Sequence, residues 1–139
     1  MKRYLLDTNI CIFLLNQSHG FENIVDRIDH LDREQVIISS ITVAELEFGV
    51  AASQKIEQNS IKLDLFLSAF KRLPFDDSAA HVYGSVRTSL KQRGLPIGPL
   101  DTLIAAHALA LDACAVTNNI GEFSRVEGLR VEDWTLPKK

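Results

Sequence analysis

Four acidic residues stand where a side chain exposed to solvent would not be expected. Asp7 directly follows a short apolar run at positions 4–6, and Glu45 lies in a predicted helix that opens after a second apolar run. Asp101 is in the first turn of a later predicted helix, and Glu122 follows a third apolar run at positions 114–116. Carboxylates that converge repel one another and are costly to bury unless a cation neutralises them. Oxygen ligands of this kind suit Mg²⁺ or Mn²⁺ better than zinc, so the pattern predicts a metal–carboxylate site.

The helical spacing around two of these acids strengthens the prediction. Counting three and four residues along a helix places Glu45 on one face with three apolar residues, Ile41, Phe48 and Ala52. Asp101 shares its face with small and apolar residues in the same way. Because none of the four acidic segments contains a Lys or Arg, an internal cationic partner is not evident.

Each acid also has a purely structural interpretation. Asp7 is suited to cap a helix that starts near Asn9, and Asp101 is suited to complement a helix dipole. Glu122 could be an exposed acid at the start of a helix. For Glu45 the structural interpretation is weaker, because a Glu within the apolar face of a helix rarely has a structural role without a charged partner. The chance that all four positions are accidental is small, so a shared site is favoured.

Polar residues accompany the acids in the same segments. Hydroxyl and amide side chains there can orient a carboxylate or hold a water on a metal, or serve as ordinary cap and turn residues. They are Thr8, Asn9, Ser39, Thr42, Thr117, Asn118 and Asn119. His107 lies on a different helical face from Asp101, so the two are not expected to share a metal.

Basic residues form one local cluster that is either solvated or able to bind phosphates beside the acids. It comprises Arg87, Lys91, Arg93, Arg125 and Arg130.

The elements that must position these residues follow from hydrophobic periodicity. Apolar runs at 4–6, 36–38 and 114–116 predict short strands buried on both faces, with weaker candidates at 73–75, where Pro74 suits only an edge or strand end, and at 129–131. Amphipathic helical faces lie between them, and the stretch 103–111 predicts a central buried helix. Strands that alternate with helices predict an α/β fold with a mostly parallel sheet of four or five strands.

Parallel strands bring everything that follows them to one edge of the sheet, where such folds build their sites. Asp7, Glu45 and Glu122 are therefore expected to converge. Asp101 precedes a strand, so it can join them only if its helix starts at that edge and runs antiparallel to the strand, as a right-handed crossover allows.

Length and composition narrow the classes of protein. The 139 residues fit one domain over 1–139, and the composition excludes a disordered, collagen-like or disulfide-rich chain. The net charge of −3 does not indicate nucleic-acid binding by itself. No apolar run is long enough for a membrane span, no export signal is evident, and Cys11 and Cys114 lie in apolar runs as buried thiols would. We expect a cytoplasmic protein without membrane contact.

Four segments, taken in order, resemble PIN domains, and most closely the VapC-like toxins of bacterial type II toxin–antitoxin pairs. They are LLDTN at 5–9, SSITVAEL at 39–46, IGPLDTLIAAHA at 97–108 and TNNIGEF at 117–123. A fifth, GLRVEDW at 128–134, also resembles that group. Each motif is weak alone, but together they span nearly the whole chain.

The resemblance implies a three-layer PIN-like nuclease domain with a Mg²⁺- or Mn²⁺-dependent endoribonuclease activity on RNA, including structured RNA such as tRNA. Asp7, Glu45 and Asp101 match the family's three core acids, with Asp7 and Asp101 as direct metal ligands. The position of the fourth acid varies within the family; here it is assigned to Glu122, with Asn119 as the alternative residue that could share this role. Such toxins usually form homodimers and are held inactive by a cognate antitoxin that inserts a basic side chain into the acidic site.

Three alternative functions agree less well with the sequence. A receiver-like signalling module needs an acidic pair after its first strand, and a dehalogenase-like phosphatase needs Asp where this chain has Asn9. An inactive PIN-like module that binds RNA or protein is the remaining alternative, if Glu122 does not complete the site.

Overall fold

The first strand of the chain lies at the centre of a single parallel sheet. The computed structural model describes residues 1–138. Within that range the sheet has five strands in the order β3-β2-β1-β4-β5, and every neighbouring pair is parallel. The strands are β1 (Tyr4–Leu6), β2 (Val36–Ser39), β3 (Lys71–Leu73), β4 (Cys114–Val116) and β5 (Val131–Glu132). The prediction of a mostly parallel sheet with four or five strands is confirmed.

Helices make the connections between these strands. They are α1 (Thr8–Asn16), α2 (Phe21–Asp29), α3 (Ser40–Ala51), α4 (Ile56–Ser68), α5 (Asp77–Gln92), α6 (Pro99–Ala110) and α7 (Ile120–Phe123). A short 3₁₀ turn at Arg33–Gln35 leads into β2. In the part of the chain that the structure describes, no helix has the length and apolar character to cross a membrane.

The side chains of each central strand alternate between two cores. Leu5 and Ile37 point to one side of the sheet, where they pack with buried residues of α5 and α6. Leu6 and Ile38 point to the other side and pack with residues of α1, α2 and α4. A sheet covered on both faces explains why these strands are continuous apolar runs. The three-layer α/β architecture expected from the sequence is confirmed.

The turns at the carboxyl ends of the central strands are very short. Asp7 alone separates β1 from α1, and its Oδ1 accepts a hydrogen bond of 2.9 Å from the Ile10 amide. Ser39, the last residue of β2, caps α3 in the same way through a 3.1 Å bond from the Ile41 amide to Oγ. These caps fix where each helix leaves the sheet, because they satisfy amides that have no partner within the helix.

The edge strands differ from the predicted positions. The third strand ends at Leu73 rather than covering 73–75, because Pro74 has no N–H to donate to the ladder. The last strand is Val131–Glu132 rather than 129–131. The central buried helix and the buried, unpaired state of Cys11 and Cys114 are confirmed.

The chain returns to the core after the last strand through Trp134. This side chain is 1% exposed, its ring lies 5.0 Å from the Tyr4 ring, and its Nε1 donates a 3.0 Å hydrogen bond to Glu132. It belongs to the same apolar cluster as Leu6, which directly precedes Asp7, and Ile10, which lies in the first turn of α1. Trp134 thus supports the packing beneath the start of α1.

Replacing Trp134 with Ala is expected to lower the free energy of unfolding by about 3–5 kcal/mol, because it removes a fully buried indole and leaves a cavity. Urea unfolding followed by circular dichroism measures the loss. Leu136→Ala is the control, since Leu136 is 60% exposed and its truncation is expected to change stability by less than about 0.5 kcal/mol. Equal effects of the two substitutions would contradict this role for Trp134.

Candidate active site

Asp7 is a carboxylate buried at the end of the central strand. Its side chain is 2% exposed. Burial is the main reason that the pKa of Asp7 is raised to about 6, and the charges of Asp101 and Glu45 raise it further. Hydrogen bonds from the Thr117 side chain and the Ile10 amide act in the opposite direction, because they favour the ionised form.

Asp101 reaches the same edge from the helix that precedes β4. It is half-buried in the first turn of α6, after Gly98 and Pro99. Burial raises the pKa of Asp101, as do the charges of Glu122 and Glu45, while a hydrogen bond from the Asn119 side chain lowers it. Asp101 is therefore close enough to Glu122 and Glu45, which follow other strands, for their charges to act on it. The sequence required this of Asp101 if it was to join the other acids at the sheet edge.

Glu45 lies one turn into α3, where Thr8 holds it. The Thr8 hydroxyl donates a 2.7 Å hydrogen bond to Oε1 of Glu45 and lies 3.2 Å from the hydroxyl of Thr42, which is fully buried. This arrangement directs the Glu45 carboxylate back towards the end of β1.

The predicted apolar stripe around Glu45 is wrong. Phe48 is 74% exposed and Ala52 is also exposed, whereas the buried face of α3 is formed by Thr42 and Leu46. Helical spacing identified neighbours on one face correctly, but that face borders solvent rather than the core. Glu45 is consequently only partly buried.

Glu122 lies in the short helix α7 after β4. The side-chain amide of Asn119 donates to Oε2 of Glu122, and the Asn119 backbone amide donates a 2.9 Å bond to Oγ1 of Thr117. The Asn119 side chain also lowers the pKa of Asp101, so it favours the ionised form of a second acid at this edge. Asn9, by contrast, is exposed on α1.

The donors at this edge suit a hard divalent cation. They are carboxylate oxygens, and among residues 1–138 none of the four acids forms a salt bridge with Lys or Arg. A buried carboxylate near other carboxylates, without a protein cation, fits Mg²⁺ or Mn²⁺. The acids are nevertheless loosely spaced: over the same residues, no three His, Cys, Asp or Glu side chains form a group that could hold a metal as they stand.

A buried bridge between two of the helices was not predicted. Nδ1 of His107 lies 2.8 Å from Oγ of Ser39, and the His107 ring packs edge-on against Phe75 with centroids 5.5 Å apart. Burial lowers the pKa of His107, which favours the neutral ring. The bridge ties α6, which carries Asp101, to the start of α3, which carries Glu45. The only sequence signal was a single His within the otherwise apolar stretch 103–111.

Comparison with known proteins shows the family to which this chain belongs. The PIN domain matches residues 4–129. Ribonuclease VapC2 of Rickettsia felis is 46% identical over 132 residues, covering 94% of this chain and 97% of that protein. The tRNA(fMet)-specific endonuclease VapC of Shigella flexneri is 40% identical over 135 residues, covering 97% and 100%. The crystal structure of DNA-bound VapBC from Salmonella typhimurium superposes with a TM-score of 0.89 at 40% identity, covering 96% of this chain and 99% of that one. The chain is a member of the PIN domain family.

Proposed function

We propose that this chain is a metal-dependent endoribonuclease that acts as the toxin of a type II toxin–antitoxin pair. The observation that carries the proposal is the buried Asp7 carboxylate, which interacts with Asp101 and Glu45 and has no protein cation to neutralise it. The relatives called ribonuclease and endonuclease support hydrolysis of RNA phosphodiester bonds.

The substrate that we propose is structured RNA such as tRNA. One relative, from Shigella flexneri, is named a tRNA(fMet)-specific endonuclease and aligns over 97% of this chain. The tRNA that this relative cuts is not transferred to the present chain. The acidic site lies at the edge of the sheet, where a folded RNA can reach it.

Asp7 and Asp101 would hold Mg²⁺ or Mn²⁺. The ion would stabilise charge on the phosphate and lower the pKa of the attacking water. Glu45 is oriented by the Thr8 hydroxyl and is placed to accept the proton of that water at Oε2, since its Oε1 already accepts from Thr8. Asn119 holds Glu122 beside Asp101, so that Glu122 adds negative charge for a second cation or positions the water.

The surface of α3 and α4 supports a protein partner. Four large apolar side chains are exposed on these two helices, and exposed apolar surface of this kind is typical of interaction sites. They are Phe48, Ile56, Ile61 and Leu65. We infer a cytoplasmic protein that forms homodimers and is inhibited by a cognate antitoxin, in agreement with its resemblance to toxins of VapBC pairs.

The loose spacing of the acids favours one other candidate, a PIN-like module that binds RNA without cutting it. Cleavage assays on antitoxin-free protein distinguish the two functions, because the module would retain RNA binding but give no fragments with Mg²⁺ or Mn²⁺.

Replacing Asp101 with Asn is expected to lower RNA cleavage by more than about 100-fold, because the variant loses a charged ligand for the ion. The assay uses purified protein, a tRNA-containing RNA pool and Mg²⁺ or Mn²⁺. Excess EDTA is expected to abolish cleavage by the wild type.

Asp64→Asn is the matched control, because Asp64 is exposed on α4 and this substitution makes the same change in charge. It is expected to cleave like the wild type. Full activity of the Asp101 variant, or cleavage that persists in EDTA, would refute the proposed site.

Replacing Asp7 with Asn is expected to stabilise the metal-free protein at pH 8. The folded protein binds the Asp7 proton more tightly than the unfolded chain, so ionisation of Asp7 lowers stability as the pH rises from 3.8 to about 6, and the loss persists above that range. Asn carries no charge and keeps an oxygen for the Ile10 amide. The gain is expected to be about 1–3 kcal/mol at pH 8 and to vanish near pH 4.

Urea unfolding in EDTA at both pH values measures this difference. Added Mg²⁺ is expected to stabilise the wild type at pH 8 and to have little effect on the variant, because ligand binding to the folded state raises its stability. A difference between wild type and variant that does not depend on pH would contradict the burial argument.

A further inference from the structure

A groove beside Asp101 plays no part in the reaction proposed above. It lies between α5 and the segment that leads into α6, and it has a volume of about 780 Å³. Pro99 and Thr102, which flank Asp101 in the first turns of α6, line its wall. The groove therefore begins at the helix end that carries one of the four acids.

The charge of this groove is opposite to that of the acidic edge. Arg87 and Lys91, one helical turn apart on α5, both line it, and no Asp or Glu does. Within residues 1–138 neither cation forms a salt bridge. Two uncompensated cations side by side are notable in a chain whose net charge is −3, and they favour an anionic ligand.

Other cations of the predicted basic cluster are engaged in structural bonds. Arg93 donates a 2.6 Å hydrogen bond to the carbonyl of Arg125, and Arg125 donates a 2.8 Å bond to the carbonyl of Pro96. Arg130 likewise bonds a backbone carbonyl. Arg93 and Arg125 therefore hold the loop that forms one wall of the groove, which leaves Arg87 and Lys91 to meet a ligand.

The Arg87 side chain is held in position by Tyr83. Its Nη1 donates a 3.0 Å hydrogen bond to the Tyr83 hydroxyl, and its guanidinium carbon lies 6.0 Å from the centre of the Tyr83 ring. The remaining N–H groups of a guanidinium suit the oxygens of a phosphate. Ile97, which is only partly buried, adds apolar surface beside the cations. Cations combined with aromatic and apolar surface are typical of grooves that bind single-stranded nucleic acid.

We propose that this groove binds the phosphate backbone of the RNA strand next to the bond that is cut, with Arg87 and Lys91 as the phosphate-binding residues. The proposal rests on the proposed function, because it assigns a subsite to the same RNA substrate. Because Pro99 and Thr102 line the groove, a strand held in it would run along the first turns of α6, the helix that carries Asp101.

The test measures RNA binding without cleavage. Fluorescein-labelled tRNA(fMet) transcript is titrated with the Asp101→Asn protein, and with the same protein carrying Arg87→Gln and Lys91→Gln, from about 50 to about 300 mM KCl. Gln retains much of each aliphatic stem. The double substitution is expected to weaken binding about tenfold and to reduce the slope of log affinity against log salt by about 1.4–1.8, for two lost phosphate contacts.

A matched control makes the same change in charge elsewhere. Lys55→Gln with Arg72→Gln removes two exposed cations from α4's start and from β3, and it is expected to keep the affinity and the slope of the parent. In the cleavage-active protein, the Arg87 and Lys91 substitutions are expected to raise KM about tenfold and leave kcat within about threefold.

The outcomes separate the two proposals. If the wild-type protein neither binds nor cuts the RNA, the proposed function fails. If it does both, but the groove variant keeps its affinity and salt slope, or the control loses as much, the groove assignment is overturned. A groove variant that loses RNA binding only because its oligomeric state changes, as seen by size-exclusion chromatography, would instead identify an interface between copies and also overturn the assignment.

Discussion

Burial of the Asp7 carboxylate at the end of the central strand is the constraint on which the acidic edge depends. Asp7 is the entire connection between β1 and α1, and its side chain also caps that helix. The Asp7 carboxylate cannot turn outward to water without breaking its hydrogen bond to the Ile10 amide. The fold therefore carries the cost of removing this charge from water. Hydrogen bonds from Ile10 and Thr117 offset part of that cost, and the pKa of about 6 shows that they do not offset all of it. A cation bound at this edge would remove the remainder, which couples folding stability to metal affinity.

The order of the strands explains why acids from distant parts of the chain meet. The chain adds β2 and β3 on one side of β1 and then crosses to add β4 and β5 on the other side, so the direction of winding reverses at β1. Ligand sites of open α/β sheets lie at the carboxyl ends of strands next to such a reversal. Asp7, Glu45 and Glu122 arrive there on the segments that follow three neighbouring strands. Asp101 arrives on the N-terminal turn of α6, and the His107–Ser39 bridge holds α6 against the start of α3.

The hydrophobic pattern of the sequence was sufficient to predict the central strands of the sheet, but it was insufficient to place the edge strands. The three inner strands could be located because burial on both faces leaves uninterrupted apolar runs. The parallel connection rule then predicted that Asp7, Glu45 and Glu122 converge, whereas Asp101 could join them only through a helix that starts at the same edge. The edge strands were misplaced because one face or one edge is solvated and the apolar signal is weak there. The exposure of Phe48 could not be foreseen, since helical spacing defines a face but not what covers it. The His107–Ser39 contact joins residues 68 positions apart, which no local pattern encodes.

The two opposite charges on this molecule perform physically separate tasks. The acidic edge repels phosphates until a cation neutralises it, whereas the groove with Arg87 and Lys91 carries its own positive charge and needs no ion. A polyanion would therefore meet an attractive surface even when the acidic edge is unneutralised, and under the proposed function only the phosphate that enters that edge would depend on the cation. In the proposed function, RNA affinity is set mainly by the groove and cleavage by the carboxylates. An acidic chain can act on RNA in this way because the sign of the local field, rather than the net charge, decides where each phosphate settles.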